Sequence, residues 1–332
     1  MIKNNKIIYT IFSLSIGILL ALLTLRLTEN NVQDILTQLK NLNWFYTSLI
    51  PFVTFINFWS LAYRWKLITQ KLISDQKREQ KFYLFYISLG SLIGIFIPAQ
   101  VSMLTTQSMA LRFNKVGSVP QGLLASLYNQ ILNLLIPLIF LPTSLLLFFG
   151  KISLSVAIFL AAVTLFIGFQ VNQKWHSNLI RFFLTASSYI KRRFSRKKIE
   201  NNKLNTLNPI PFFDSKFVVA EFWLTIILHL NIAIRNFLVV KAIDLNIGFW
   251  YILFASLLIY LAMVLSFTPG SLGLMEWSWI GMLGLINVPT NDVVSFALIQ
   301  RLLITLSIVI VFVVLAIYLW IERMMKAKTN KI

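Results

Sequence analysis

Long runs of apolar residues are the feature that most constrains this chain. Several of them reach the roughly 20 residues that an α-helix needs to cross a bilayer. Apolar residues make up 58% of the chain and charged residues only 12%, about half the charge of a soluble domain. We therefore expect an all-α fold, a polytopic helical membrane bundle that forms a single integral membrane domain over residues 1–332. The runs lie at about 7–25, 44–63, 82–97, 119–149, 152–171, 217–240, 248–267 and 288–321.

The first run, 7–25, follows the basic residues Lys3 and Lys6, as the apolar core of a signal peptide would. Its length of about 19 residues and its lack of a small-x-small cleavage site favour a retained transmembrane anchor instead.

Basic residues lie mostly between the apolar runs. Segment 64–81 holds six Lys or Arg, segment 172–216 holds ten and the tail 322–332 holds four. Cytoplasmic loops of membrane proteins carry such an excess of positive charge. We therefore expect a multi-pass protein of the bacterial inner (plasma) membrane with both termini cytoplasmic. The net charge of +19 follows from this topology, and we expect no nucleic-acid partner.

If segments 64–81 and 172–216 are both cytoplasmic, the chain must cross the membrane an even number of times between them. Three apolar runs lie there instead. We expect 82–97 to be the first arm of a re-entrant hairpin, which turns at Pro98 and returns through 99–112. The alternative is that 119–149 forms two short spans and that no repeat exists.

Three apolar runs also lie between segment 172–216 and the cytoplasmic tail. We therefore expect 248–267 and 271–286 to form a second hairpin that turns at Pro269-Gly270. Proline breaks a helix and glycine permits a turn. The two hairpins would enter from opposite faces, as the broken helices of inverted-repeat transporters do. The prediction is about six full spans plus two re-entrant hairpins, in a first half (about 1–171), a basic cytoplasmic loop (172–216) and a second half (217–332).

Ionisable residues within the spans are functional candidates, because their burial in a membrane is costly. Glu276 lies in the first turn of a returning half-helix, where free amide groups attract anions, including phosphate. The alternative is that Glu276 only caps that helix. Arg301, in the last span, is expected either to contact a lipid phosphate or to pair with Glu276.

A secondary polar stripe lies on one face of the span 217–240, and it includes Glu221, His229 and Arg235. These residues face protein or water rather than lipid, and ordinary interhelical hydrogen bonding is the alternative to a site. Glu221 is close enough to the cytoplasmic end to be interfacial. A neutral polar patch in the span 119–149, formed by Asn129, Gln130 and Asn133, is expected to serve packing.

Several chemistries are not expected. The chain has no cysteine and only two histidines, His176 and His229, so we expect no metal site. We expect no cofactor, because the sequence contains neither a P-loop nor an HExxH motif. No convincing Ser/His/Asp set is present, so we do not expect an enzyme.

At a few motifs the sequence resembles the lysylphosphatidylglycerol synthase transmembrane-region family, also called flippase-like integral membrane proteins. The resemblance covers about residues 7–325. It implies an inner-membrane bundle with two re-entrant elements that moves or handles a lipid. The matching residues are Tyr63-Arg64-Trp65-Lys66, Pro98-Ala99, the stretch from Thr268 to Glu276, and Arg301.

The resemblance implies that the partner is a membrane lipid, either an anionic phospholipid or a polyprenyl-phosphate lipid. The alternative is a non-transporting scaffold for a cell-envelope glycosyltransferase or lipid-modifying enzyme. The full synthases add a soluble aminoacyl-transfer domain, which we do not expect here because the chain ends eleven residues after Ile321. The residues to which the family's headgroup-binding role transfers are Pro269, Gly270, Gly273, Glu276 and Arg301.

The first hairpin departs from the family pattern. Charged residues of the family are replaced there by neutral ones, at Gln100, Ser102, Met103 and Thr106, and in the next span at Asn129, Gln130 and Asn133. If those charges hold an anionic headgroup, this protein has a different substrate or a weaker activity.

Overall fold

The computed structural model describes residues 32–73, 78–171, 215–266 and 268–329, and the regular structure of these residues is helical. The predicted anchor 7–25 and nearly all of the basic loop 172–216 lie outside the described residues. The helices are α1 (Val32–Lys40), α2 (Trp44–Leu72), α3 (Gln80–Ile93), α4 (Ala99–Phe113), α5 (Val119–Phe148), α6 (Leu154–Val171), α7 (Ser215–Ala242), α8 (Phe249–Val264), a 3₁₀ turn (Pro269–Ser271), α9 (Leu274–Gly284) and α10 (Thr290–Thr329).

Five of these helices are long and apolar enough to cross a membrane, namely α2, α5, α6, α7 and α10. They correspond to five of the six predicted full spans. The prediction of a polytopic helical bundle is therefore confirmed within the described residues.

Helix α5 is one continuous span of 30 residues. The alternative of two short spans in 119–149 is wrong, although Pro137 and Pro142 both lie inside the helix. Proline removes one backbone hydrogen bond, and membrane helices tolerate this where neighbouring helices cover the break. Pro137 is buried in this way.

Helices α3 and α4 form the first hairpin. The chain turns between Gly94 and Pro98, and the arms pack closely enough for the Ser102 hydroxyl to donate to the Gly90 carbonyl at 2.6 Å. At the open end of the hairpin, opposite the turn, the Arg78 guanidinium donates to the Asn114 carbonyl at 2.7 Å and links the two arms.

Helices α8 and α9 form the second hairpin. Helix α8 ends at Val264, and α9 begins at Leu274 after the 3₁₀ turn. Trp279 of α9 is buried against Phe296 of α10, with the ring centroids 4.9 Å apart. This contact anchors the short half-helix to the last long helix.

The two hairpins enter the bundle from opposite ends. Lys81, at the start of the first hairpin, pairs with Glu322 near the end of α10. At the other end of the bundle, Tyr251 near the start of α8 packs on Phe148, the last residue of α5. The tips meet inside, where the Gly270 amide lies 3.5 Å from the Ile97 carbonyl. The structure thus confirms the predicted opposed hairpins.

The end of α2 corrects the prediction for segment 64–81. The helix continues to Leu72 instead of ending near 63, and Arg64 is completely buried. Arg64 therefore does not belong to a cytoplasmic loop, and its charge is no topological signal. Polar partners on neighbouring helices, described below, make its burial tolerable.

Candidate functional site

A cavity of about 260 Å³ lies where the two hairpin tips meet the long helices. Most of its lining is apolar, with contributions from α2, both hairpins, α7 and α10. The polar side chains that line it are Asn57, Ser91, Arg235, Asn236, Ser256, Tyr260, Ser271, Gln300, Arg301 and Thr305.

The tip of the second hairpin is built from unusual backbone conformations. Gly270 and Gly273 have φ angles of +55° and +81°, which glycine adopts without steric cost. Ser271, between them, also has a positive φ of +57° although it carries a side chain. Such strain is found mostly at functional sites, and Ser271 lines the cavity.

Glu276 and Arg301 form an ion pair beneath this tip. One carboxylate oxygen of Glu276 accepts from the Gly273 amide at 2.8 Å, and the other accepts from the Arg301 guanidinium. Arg301 also donates to the Gly270 carbonyl at 3.0 Å. Glu276 therefore caps α9, and its pairing with Arg301 is one of the two roles that the sequence left open for that arginine.

The pair is asymmetric in its exposure. The Glu276 side chain is 1% exposed, whereas that of Arg301 is 21% exposed and lines the cavity. The structure thus brings together Pro269, Gly270, Gly273, Glu276 and Arg301, but only Gly270 and Arg301 of this set reach the cavity wall.

Arg235 supplies a second cation to the same cavity. Its Nε atom is buried and has no hydrogen-bond partner among the described residues. Its neighbour Asn236 donates to Ser256 at 2.9 Å and accepts from Gln300 at 3.0 Å. This link ties the backbone next to Arg235 to the backbone next to Arg301.

The predicted polar stripe is divided between two places. Arg235 belongs to the cavity, whereas Glu221, Thr225 and His229 belong to a buried network around Arg64. Arg64 donates to the Asn129 side chain at 2.8 Å, to the Thr225 hydroxyl at 2.9 Å and to the Asn133 side chain. Asn129 and Asn133 of the neutral patch on α5 thus accept hydrogen bonds from a buried cation, in addition to packing the helices.

Glu221 is buried among the helices at 1% exposure. Its carboxylate lies 3.8 Å from the Arg64 Nε atom, and neither carboxylate oxygen has a hydrogen-bond partner in the described part of the chain. Helix α7 begins at Ser215 and α2 extends past Arg64, so both residues lie within helices rather than at their ends.

His229 connects this network to the cavity wall. Its Nε2 atom lies 2.8 Å from the Asn133 carbonyl oxygen, and its ring packs edge-on against Tyr260 at 4.9 Å. Tyr260 lines the cavity. The alternative of interhelical hydrogen bonding therefore describes His229 well.

Sequence reasoning missed Arg64 as a network residue. It assigned Arg64 to a loop because six basic residues lie within residues 64–81. The apolar periodicity that continues after it, through the buried Trp65 and Ile68, is the signal that a longer helix was present.

The first hairpin contributes only neutral groups to the cavity, including Ser91, Ala99 and Met103. Gln100 follows Ala99 in α4 outside the cavity lining, and its carbonyl accepts from the Gln130 side chain at 3.1 Å. The cations therefore come from the second half of the chain. Within the described ranges, no group of three or more His, Asp or Glu could hold a metal ion.

The fold and the cavity define a class of protein, a polytopic helical membrane protein with two opposed broken-helix hairpins around a buried polar site. The family profile described as "Lysylphosphatidylglycerol synthase TM region" matches residues 10–323. The chain belongs to this family. The matched profile describes a transmembrane region, in agreement with the five apolar helices. A search of curated proteins finds no match to this chain.

Proposed function

We propose that this chain is a flippase-like protein that translocates or handles a lipid with an anionic or polyprenyl-linked headgroup in the bacterial inner membrane. One observation carries the proposal, namely that two arginines line a cavity between the tips of opposed hairpins. Broken helices that meet near the membrane midplane are the usual position of a transporter's substrate site.

The lining of the cavity supports a lipid as cargo. Arg235 and Arg301 would bind the headgroup, because arginine suits phosphate through its planar fork of donors. Apolar side chains make up most of the remaining wall and would tolerate lipid tails. The headgroup would then cross within the protein while the tails stay in the bilayer.

Glu276 would position Arg301 rather than contact the cargo. Its carboxylate binds both the Arg301 guanidinium and the Gly273 amide, so it fixes the arginine relative to the hairpin tip. The contact between Gly270 and Ile97 would have to open for a headgroup to pass between the two halves.

The test compares Arg301→Ala and Glu276→Ala with the unmodified protein. Each protein is purified, its bound lipids are measured by mass spectrometry, and lipid translocation is measured after reconstitution in liposomes. We expect one anionic lipid class to be enriched with the unmodified protein and lost from both variants, together with translocation.

Two exposed residues provide matched controls, Arg112→Ala and Glu79→Ala, both at the open end of the first hairpin. These variants should bind and move lipid like the unmodified protein. Normal translocation by Arg301→Ala and Glu276→Ala would show that the assigned site is wrong.

A non-transporting scaffold is the second candidate function, and the neutral first hairpin favours it. A cell-envelope glycosyltransferase or lipid-modifying enzyme would then be the partner. Bulk membrane lipid in all samples, no translocation by the protein alone and obligate co-purification with one such enzyme would support this role instead.

A further inference from the structure

The charged groups in the cavity wall all have the same sign. Among the described residues that line it, the ones that carry charge are Arg235 and Arg301. A partly buried cavity of this kind disfavours a further positive charge, because low dielectric amplifies repulsion between like charges.

The nearby carboxylate is not free to balance them. Glu276 is not part of the cavity lining, and its two oxygens are occupied by Arg301 and by the Gly273 amide. Glu221 is held in the separate network of Arg64. Among the described residues, the positive charge of Arg235 therefore has no carboxylate partner.

Arg235 has a buried donor without a partner in the described part of the chain. The structure gives it no ion pair or hydrogen bond among the described residues, and its Nε atom is buried. The side chain as a whole is half-buried, and an anion in the cavity would give this partly desolvated charge a partner.

The size of the cavity limits the headgroup. At about 260 Å³ it falls just below the range of about 300–1,000 Å³ typical of small-molecule pockets. This volume suits a phosphate with a small substituent better than a large sugar headgroup.

We propose that the cargo is a lipid whose small headgroup carries a phosphate and no positive charge, with the phosphate bound between Arg235 and Arg301. This inference rests on the proposed function and narrows it, because it excludes aminoacylated and other cationic headgroups. Arg235 is then the residue that sets the charge selectivity. Phosphatidylglycerol and a polyprenyl phosphate share the required chemistry.

The first experiment uses the unmodified protein, with native mass spectrometry of the purified chain in an equimolar lipid mixture. The mixture contains phosphatidylglycerol, undecaprenyl phosphate, phosphatidylethanolamine and lysylphosphatidylglycerol. We expect phosphatidylglycerol or undecaprenyl phosphate, whichever is the cargo, to be bound at least about tenfold more than lysylphosphatidylglycerol, because the arginines repel the ammonium groups that the lysyl group adds.

The second experiment repeats the measurement with Arg235→Gln, Arg235→Glu and the exposed control Arg112→Gln. Arg235→Gln should reduce the preference for the anionic lipid, Arg235→Glu should shift binding towards lysylphosphatidylglycerol, and the control should behave like the unmodified protein. If the Arg235 variants do not fold, the selectivity of the unmodified protein still decides the question.

The outcomes separate the two proposals. Binding and translocation of lysylphosphatidylglycerol at or above the level of the anionic lipids would overturn the charge selectivity but leave the flippase proposal standing. Absence of both specific binding and translocation for every lipid would contradict both.

Discussion

At the residue scale, two buried carboxylates of the described structure have opposite surroundings. Glu276 and Glu221 are both 1% exposed, but Glu276 accepts two hydrogen bonds whereas Glu221 accepts none in the described structure. The nearest cation to Glu221 is Arg64, which directs its own donors to Asn129, Asn133 and Thr225. Arg64 therefore neutralises Glu221 through space and joins three helices through hydrogen bonds.

Replacement of Arg64 should destabilise the fold for this reason. Arg64→Met leaves the Glu221 carboxylate buried without a cation, and we expect the free energy of unfolding to fall by about 3–5 kcal/mol. The double variant Arg64→Met/Glu221→Leu should lose less, because no unpaired charge remains. Thermal unfolding in detergent measures both effects.

The exposed Arg112→Met is the control for this experiment and should unfold like the unmodified protein. A double variant as unstable as Arg64→Met would show that the hydrogen bonds to α5 and α7, rather than the charge of Glu221, account for the loss.

At the scale of elements, the decisive feature is the contact between the two hairpin tips. Gly270 approaches the first hairpin so closely that an added Cβ atom would lie 3.1 Å from the Ile95 carbonyl oxygen. The same Cβ would lie 3.1 Å from the Arg301 guanidinium. One residue thus links the two hairpins and the cation of the site.

Gly270→Ala should separate these elements. The positive φ alone costs a side-chain-bearing residue about 1–2 kcal/mol, and the added methyl group would push Ile95 and Arg301 away. We expect lower thermal stability and a marked loss of lipid translocation in the same liposome assay.

Gly281→Ala is the matched control, because it lies in α9 with open space around its Cβ position. Alanine in a helix is favoured over glycine by about 0.5–1 kcal/mol, so this variant should be at least as stable as the unmodified protein. Equal behaviour of the two alanine variants would contradict a close contact at the tips.

At the scale of the whole molecule, the opposed hairpins define two distinct ends of the bundle. Lys115 lies at the open end of the first hairpin, between α4 and α5, and Lys151 lies beyond the far end of α5. We propose that the end with Lys115 is cytoplasmic, since the basic segments cluster on that side.

Single-cysteine labelling tests this orientation cleanly, because the chain has no cysteine of its own. Lys115 and Lys151 are both exposed. Lys151→Cys should react with a membrane-impermeant maleimide in spheroplasts. Lys115→Cys should react only after the inner membrane is opened, and the reverse pattern would invert the proposed topology.

Sequence reasoning reached the long apolar helices and both hairpins, because these features depend on local properties. The pairing of Glu276 with Arg301 was one of two roles that it left open for the arginine. Apolar length determines a span, and proline and glycine mark the turn at Pro269-Gly270. The even number of crossings then required the hairpins, since basic segments keep to one side of the membrane.

Sequence reasoning could not identify contacts that depend on which helices become neighbours. Arg64, Asn133 and Glu221 are far apart in the chain, and only the packing of α2, α5 and α7 brings them together. Likewise, Arg235 looked like one member of a stripe with Glu221 and His229. The tertiary structure places Arg235 in the cavity with Arg301, because residues on one helix face still contact different neighbours at different depths.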